Sequence, residues 1–269
     1  MAQAMLVSRR FRSAPRILLV AFFVISCFWL WLYFNSLCQR RKAESLFTDL
    51  RAFSFASADF AEVRDFALSH GGTAIQGFPP SFPTFGLPLH DSQGQVQIPR
   101  VWSKPECTSR ECVFEIWIRP SALTVTLSNP LEMRLLTAMT YAGIRPWGVY
   151  ARFEIVDGKL ERSRTSVGGM KSGKSGGYDG LIPLEYEVVS DARPVYSDKI
   201  YSVGRPHVTG GPMEILRVQL VHIAGIPTAR VFDVNLKCLT ALLRGCSFSE
   251  LAPSVWSDYQ YELTPNQQK

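Results

Sequence analysis

One stretch of eight residues has the letters of a phosphate-binding loop. Residues 168–175, GGMKSGKS, match the pattern G-x-x-x-x-G-K-S. In a nucleotide-binding protein Lys174 would contact the β and γ phosphates, and Ser175 would bind magnesium. That chemistry requires a buried strand before the loop and a helix that begins at the lysine, so that backbone N–H groups and the helix dipole meet the phosphates.

The flanks of this stretch do not fit that arrangement. A polar hairpin arm, residues 160–165, precedes it, and the sequence GGYDG at 176–180 would end a helix almost where it began. We therefore interpret residues 168–175 as a flexible glycine and serine loop that joins two strands. A nucleotide-binding protein is kept as an alternative, with a site formed by Gly168, Gly173, Lys174 and Ser175.

The four histidines are scattered and suggest no defined catalytic group. His70 comes just before Gly71-Gly72, where a cation suits a helix C-terminus, and His222 lies on the apolar side of a strand pattern. His90 and His207 fall in loops, without a G-x-S-x-G motif or a Cys-Gly nucleophile context. A triad can be assembled from distant loops, so an extracytoplasmic hydrolase is the alternative from the enzyme class.

Two pairs of glutamates have a spacing compatible with acid and base catalysis. Glu185 and Glu187 share one face of a strand pattern, and Glu154 and Glu161 are expected to oppose each other across a hairpin. Solvated sheet faces produce such pairs routinely, so we assign no catalytic residue and expect a non-enzymatic protein. Three basic residues of the same hairpin neutralise the second pair: Arg152, Lys159 and Arg162.

Four cysteines outside the apolar N-terminal segment form two local pairs. Cys107 and Cys112 have four residues between them, and Cys238 and Cys246 have seven. These spacings suit two short disulfide-closed loops, with free thiols and a zinc site as the alternatives. Zinc sites usually have closer pairs with a nearby histidine, so we predict disulfides, no metal and no cofactor.

Residues 17–38 contain no charged side chain. At 1.5 Å of rise per residue, about twenty apolar residues cross a hydrocarbon layer of roughly 30 Å. Trp29, Trp31 and Tyr33 are then near one membrane interface. The segment is longer than the apolar core of a signal peptide and lacks a small-x-small cleavage site, so we predict an uncleaved signal anchor that contacts the lipid bilayer.

The net charge of +6 comes from the flanks of this segment. Seven basic residues lie in the first 42 positions, and no acidic residue occurs before Glu44. Of 29 basic residues 22 remain, against 23 acidic ones, so the rest is nearly neutral and we predict no nucleic-acid partner. Four arginines and the amino terminus outweigh Arg40, Arg41 and Lys42, which favours a cytoplasmic N-terminus (1–16) and an extracytoplasmic domain.

Helix signals occur after the membrane segment and near the C-terminus. Residues 43–70 are predicted to form two membrane-proximal helices, the second capped by Ser57. Helices are also predicted over 129–143 and 235–244, with a capping box at 247–250. Residues 73–99 form a long connection rich in proline and phenylalanine, and 264–269 a polar tail.

Alternating apolar residues predict strands in the remaining sequence. Residues 112–119 alternate with period two, and 147–164 form a hairpin around Asp157-Gly158, which places Leu160 opposite Ile155. The predicted fold is α+β: one transmembrane helix, then a single domain over 73–263 with a mainly antiparallel sheet and several short helices. The absence of an N-x-S/T acceptor favours a bacterial cell envelope, where we expect binding or scaffolding with a protein partner that the sequence does not identify.

Overall fold

The computed structural model describes the chain in several segments. These are residues 2–75, 107–120, 139, 144–175, 178–191, 201–204, 207–208, 211–212, 214–219, 228–241 and 246–263. The predicted helix over 129–143, the phenylalanine-rich part of 73–99, the polar tail, His90 and His222 lie outside these residues, apart from Met139, which is helical, and the strand at 73–75.

A single helix, α1 (Ala2–Ala52), forms the N-terminal fifth of the protein. It is long and apolar enough to cross a membrane. Large apolar side chains are exposed on it from Leu18 to Phe34, as expected for a surface that lipid covers. The sequence predicted a separate helix from residue 43, but the helix runs through this point without a break.

The second half of α1 belongs to the core of the domain. Its buried residues recur every three or four positions, which places them on one side of the helix. One helix therefore has a lipid-facing half and a core-facing half. The buried positions are Leu32, Ser36, Ala43, Leu46, Phe47 and Leu50.

The larger sheet has seven strands in the order β1-β2-β3-β4-β5-β9-β6. Neighbours are antiparallel except β5 and β9, which are parallel, so the sheet is mixed but mainly antiparallel, as predicted. A two-stranded sheet pairs β7 with β8. The strands are β1 Thr73–Ile75, β2 Cys112–Ile118, β3 Gly148–Val156, β4 Lys159–Ser175, β5 Tyr178–Asp191, β6 Tyr201–Gly204, β7 His207–Val208, β8 Gly211–Pro212 and β9 Glu214–Gln219.

The β3–β4 hairpin confirms the predicted turn and corrects one pairing. Asp157 and Gly158 have φ angles of 52° and 79°, as a type I′ turn requires, and Leu160 is opposite Ile155. The register then shifts, so that Glu154 pairs with Arg162. The prediction that Glu154 opposes Glu161 was wrong because this irregularity leaves Glu161 as the extra residue of a bulge.

The predicted glycine and serine loop is part of a strand. Strand β4 continues through Ser175, and every residue from Arg162 to Ser175 pairs with β5, ending with Ser175 opposite Tyr178. Residues 168–175 are therefore extended backbone in a ladder. The loop prediction was wrong because backbone pairing with β5 outweighs the low strand propensity of glycine and serine.

The start of helix α2 is determined by its capping residue. Helix α2 (Phe60–Ser69) is capped by Asp59, whose carboxylate accepts a hydrogen bond from the Glu62 N–H at 3.0 Å. The predicted cap, Ser57, lies in the turn before it. The predicted cap was wrong by two positions, because Asp59 and not Ser57 accepts the hydrogen bond at the start of α2.

Further helices lie near the C-terminus. A 3-10 helix, Leu236–Thr240, has Asn235 as its N-cap but ends four residues before the predicted end, because Ala241 is extended. Glu250 accepts a hydrogen bond from the Ser247 N–H at 3.3 Å, as the predicted capping box requires. The remaining helices are α3 (Thr228–Val231), α4 (Phe248–Leu251) and α5 (Pro253–Leu263).

Aromatic rings join α1 to the rest of the core. The rings of Phe47 and Phe232 are 6.2 Å apart, and those of Phe53 and Phe153 are 6.0 Å apart. Since Phe47 and Phe153 are almost fully buried, these contacts fix the helix against the sheet and the C-terminal helices.

We predict that Phe47→Ala lowers the free energy of unfolding by about 3–5 kcal/mol, the usual cost of truncating a buried phenylalanine. Unfolding in detergent by guanidinium, followed by tryptophan fluorescence, measures this loss. The control Leu68→Ala, at an exposed position of α2, is expected to change stability by less than about 0.5 kcal/mol. Equal small effects would contradict a core role for α1.

Candidate functional site

The face of the sheet opposite the apolar core carries buried charges. Phe114 and Ile116 of β2 belong to the core, and Glu115 between them points to the other face. The side chain of Glu187 is only 2% exposed on this face, and that of Arg152 is 7% exposed. Buried ions need partners, so the contacts of this face determine what it can do.

One cluster is centred on Glu115. Its carboxylate accepts hydrogen bonds from the Tyr150 hydroxyl at 2.7 Å and from the Trp117 indole N–H at 3.1 Å. Arg152 lies 3.5 Å from Glu115 and directly opposite it on β3, and its Nε is 2.9 Å from Glu154. Cross-strand pairing of opposite charges therefore builds this cluster.

A second cluster is centred on Glu187. Arg164 of β4 forms an ion pair with it, and Arg217, directly opposite on β9, donates to it at 2.5 Å. Arg164 also lies 3.7 Å from Glu185. The prediction that Glu185 and Glu187 lie on a solvated face was wrong, because both carboxylates are largely buried between arginines.

Burial changes the proton affinity of two groups on this face. Burial is the main cause that raises the pKa of Glu185, and the nearby Glu187 carboxylate raises it further, against Arg164, Arg217 and a hydrogen bond from Ser166. The pKa of Tyr150 is also raised, first by burial and then by its bond to Glu115. Glu185 thus holds a proton to a higher pH than an ordinary glutamate.

Arg162 lies 3.7 Å from Glu154, so the two clusters together contain four carboxylates and four guanidiniums. Such matched charges hold strands in register, and they leave little uncompensated charge for a charged substrate. An exposed aromatic pair lies on the described part of this face: Trp117 is 57% exposed, and its ring centroid is 4.3 Å from that of Tyr150. Because Glu115 binds both polar groups, the two rings are fixed in place.

The other residues that the sequence singled out are not brought together. His70 pairs with Asp49 at 3.0 Å, and His207 lies in β7. Gly168, Gly173, Lys174 and Ser175 are all within β4, so no helix begins at Lys174. The condition for phosphate binding by this motif, a loop that leads into a helix N-terminus, is not met at these positions.

Both local cysteine pairs are at disulfide distance. The Cα atoms of Cys107 and Cys112 are 4.6 Å apart, and those of Cys238 and Cys246 are 5.1 Å apart. The first pair ties β2 to the segment before it, and the second ties the 3-10 helix to the segment before α4. Among the described residues, no group of three or more His, Cys, Asp and Glu could hold a metal ion.

Sequence reasoning missed the two charge clusters. A signal was present: arginines and glutamates alternate on β3 and β4 with the same period of two as the apolar residues. We read that pattern as solvated, whereas complementary charges on five neighbouring strands form a second face with buried side chains. No protein-family model, curated protein or solved structure matches the chain.

We predict that Glu187→Gln destabilises the fold by about 3 kcal/mol, because it leaves two partly buried guanidiniums without their carboxylate. The value is at the low end for buried pairs, since Arg164 and Arg217 are 22% and 30% exposed. The matched control is Asp233→Asn, which removes an exposed ion pair with Arg51 and is expected to cost no more than about 1 kcal/mol. Guanidinium unfolding of both variants in detergent gives the comparison.

A pH dependence follows from Glu185. Because its pKa is higher in the folded protein than in the unfolded chain, its contribution to stability is complete below the unfolded pKa and is lost as pH rises through the folded pKa. The stability of the parent relative to Glu185→Gln should therefore fall from acidic to neutral pH. Unfolding of both proteins across this range is the measurement. A trend of the opposite sign would contradict the assignment.

Proposed function

We propose that this protein is a single-pass, membrane-anchored binding or scaffolding protein of the cell envelope. Residues 17–38 hold it in the bilayer, the N-terminus is cytoplasmic and the domain is extracytoplasmic. The observation that carries the proposal is the two-sided character of α1, which has exposed apolar side chains up to Phe34 and buried ones from Leu46 to Leu50. A helix built in this way suits a domain that is carried on the membrane surface.

The cysteines support an oxidising compartment. Two local pairs at disulfide distance are typical of periplasmic and secreted proteins, and they are rare where glutathione and thioredoxin keep thiols reduced. The two remaining cysteines, Cys27 and Cys38, lie within the predicted span or at its edge.

The charged face of the sheet supports binding over catalysis. Its carboxylates are held by arginines, tyrosine or tryptophan, so they stabilise the sheet that presents Trp117. A fixed, exposed indole beside a tyrosine is a common anchor in protein contacts. We therefore place the contact with an envelope protein around Trp117 and Tyr150.

Topology and redox state test the proposal in native membranes. A membrane-impermeant maleimide is applied to intact cells that carry Lys159→Cys, at the exposed β3–β4 turn, or Ala4→Cys, both with Cys27→Ser and Cys38→Ser. We expect labelling at position 159 in intact cells and at position 4 only after permeabilisation. Mass spectrometry of the same samples should find both local cysteine pairs oxidised. Labelling at position 4 alone, with reduced cysteines, would reverse the proposed orientation.

A further inference from the structure

Two contacts establish how the sheet is oriented along α1. The Trp147 indole, just before β3, donates to the Ser36 hydroxyl at 2.9 Å. The ring of Phe153, six residues on, packs against that of Phe53, the first residue after the helix. Helix residues 36–53 rise about 25 Å, and six strand residues about 20 Å. Strand β3 therefore runs alongside α1, with its start toward the membrane.

Strand β4 runs in the opposite direction to β3 and continues past the start of β3, toward the membrane. Gly168 pairs with Gly148 at the start of β3. A Cβ on the next residue, Gly169, would be 2.8 Å from Leu239, and the adjacent Thr240 accepts a hydrogen bond from Arg40 at 2.5 Å. Gly169 is thus at the level of Arg40, two residues beyond the predicted membrane span.

The ladder continues toward the membrane from that point. We use the name membrane-side ribbon for residues 170–175 of β4 and 178–183 of β5, which pair with each other from Met170 opposite Pro183 to Ser175 opposite Tyr178. From Gly169 to Ser175 the strand extends about 20 Å. Pairing with β3 ends at Gly168 and pairing with β9 begins at Leu184, so no other described strand pairs with the ribbon.

The composition of the ribbon decides where it can lie. It contains Lys171, Lys174, Asp179 and two glycines. None of the described strands pairs with its two outer edges, so the backbone groups there need other partners. Hydrocarbon excludes such edges because each unsatisfied group costs several kcal/mol there. The headgroup layer, roughly 5–8 Å deep on each side of a bilayer, supplies water and phosphate to both edges. Because a ribbon of about 20 Å is longer than this layer is deep, it has to run along the membrane surface and not continue straight into the hydrocarbon.

The positive charges near Arg40 and in the membrane-side ribbon indicate which molecule would bind there. Arg41 and Lys42 of α1 are exposed next to Arg40, and the ribbon adds two lysines against one aspartate. Near an anionic membrane surface each lysine or arginine contributes about 1 kcal/mol, roughly a fivefold change in binding. Anionic phospholipid is the partner whose charge and position fit.

We propose that the membrane-side ribbon is a second membrane contact, which lies in the headgroup layer beside α1 and uses Lys171 and Lys174 to bind anionic phospholipid. The proposal rests on the proposed membrane anchor. It also gives a role to the GGMKSGKS sequence, whose lysines and glycines suit a ribbon that reaches the phosphate layer of a bilayer.

Fluorescence quenching in vesicles tests the ribbon. The full-length protein with Cys27→Ser and Cys38→Ser carries an environment-sensitive dye at Ser172→Cys, or at Lys159→Cys at the opposite end of β4. It is reconstituted into phosphatidylcholine vesicles with or without phosphatidylglycerol, which contain lipids with a headgroup nitroxide. We expect quenching at position 172 and not at 159, stronger with phosphatidylglycerol.

Charge variants separate the lysines from the rest of the surface. Lys171→Gln with Lys174→Gln should lower the quenched-to-unquenched ratio at position 172 about fivefold per lysine in anionic vesicles. The matched control, Arg64→Gln with Arg110→Gln, removes two exposed cations far from the membrane and should change nothing.

Failure of the ribbon and failure of the anchor give different results. Protein that floats with the vesicles but shows no quenching at position 172 in either lipid overturns the ribbon proposal. Quenching that is equal in both lipids and insensitive to the lysines overturns the role of anionic lipid. Protein that does not float with vesicles contradicts the anchor itself.

Discussion

The structure depends on α1 being one uninterrupted helix. Residues 17–52 contain no glycine and no proline, so neither of the usual causes of a break or kink is present between the apolar segment and the core. Arg40 also pairs with Glu44 one turn later, at the point where the charged residues begin. A flexible linker would let the domain tumble above the bilayer. This helix instead transmits its orientation to the sheet, because its last turns are packed against Phe153 and Phe232 through Phe53 and Phe47.

The second organising feature is the charge pairing on the outer face of the sheet. Three ion pairs join residues directly opposite each other: Glu115 with Arg152, Glu154 with Arg162, and Glu187 with Arg217. A slip of one residue in any of these strands would move a buried charge to the apolar face. The pairs therefore specify the register that also positions Trp117 and Tyr150. Stability, register and the exposed aromatic pair are consequences of one arrangement.

Local signals predicted a large part of this fold. Asp157-Gly158 predicted its hairpin because only a few residue types tolerate two successive positive φ angles. Ser247 and Glu250 predicted a helix start because capping depends on neighbours in sequence. The two local cysteine pairs were similarly evident from their spacing. Each of these features is determined within about ten residues.

The errors concern features that depend on distant partners. The stretch at 168–175 is a strand because β5 pairs with it, and its own residues favour a loop. The burial of Glu185 and Glu187 depends on Arg164 and Arg217 from other strands. The packing of α1 into the core depends on Trp147, which is 111 residues from its partner Ser36. It also depends on Phe232, which is 185 residues from its partner Phe47. For the candidate site, sequence alone supplied the residue types but not their pairing.

The rigidity of α1 across the membrane boundary is the central claim, and a distance across that boundary tests it most directly. Spin labels at Val20→Cys and Thr48→Cys, with Cys27 and Cys38 replaced by serine, are placed on opposite sides of residue 38 in nanodisc-embedded protein. A continuous helix predicts a narrow distribution of distances near 42 Å, from 28 residues at about 1.5 Å each. A broad distribution, or one centred at a much shorter distance, would show a joint between the span and the domain and contradict the account.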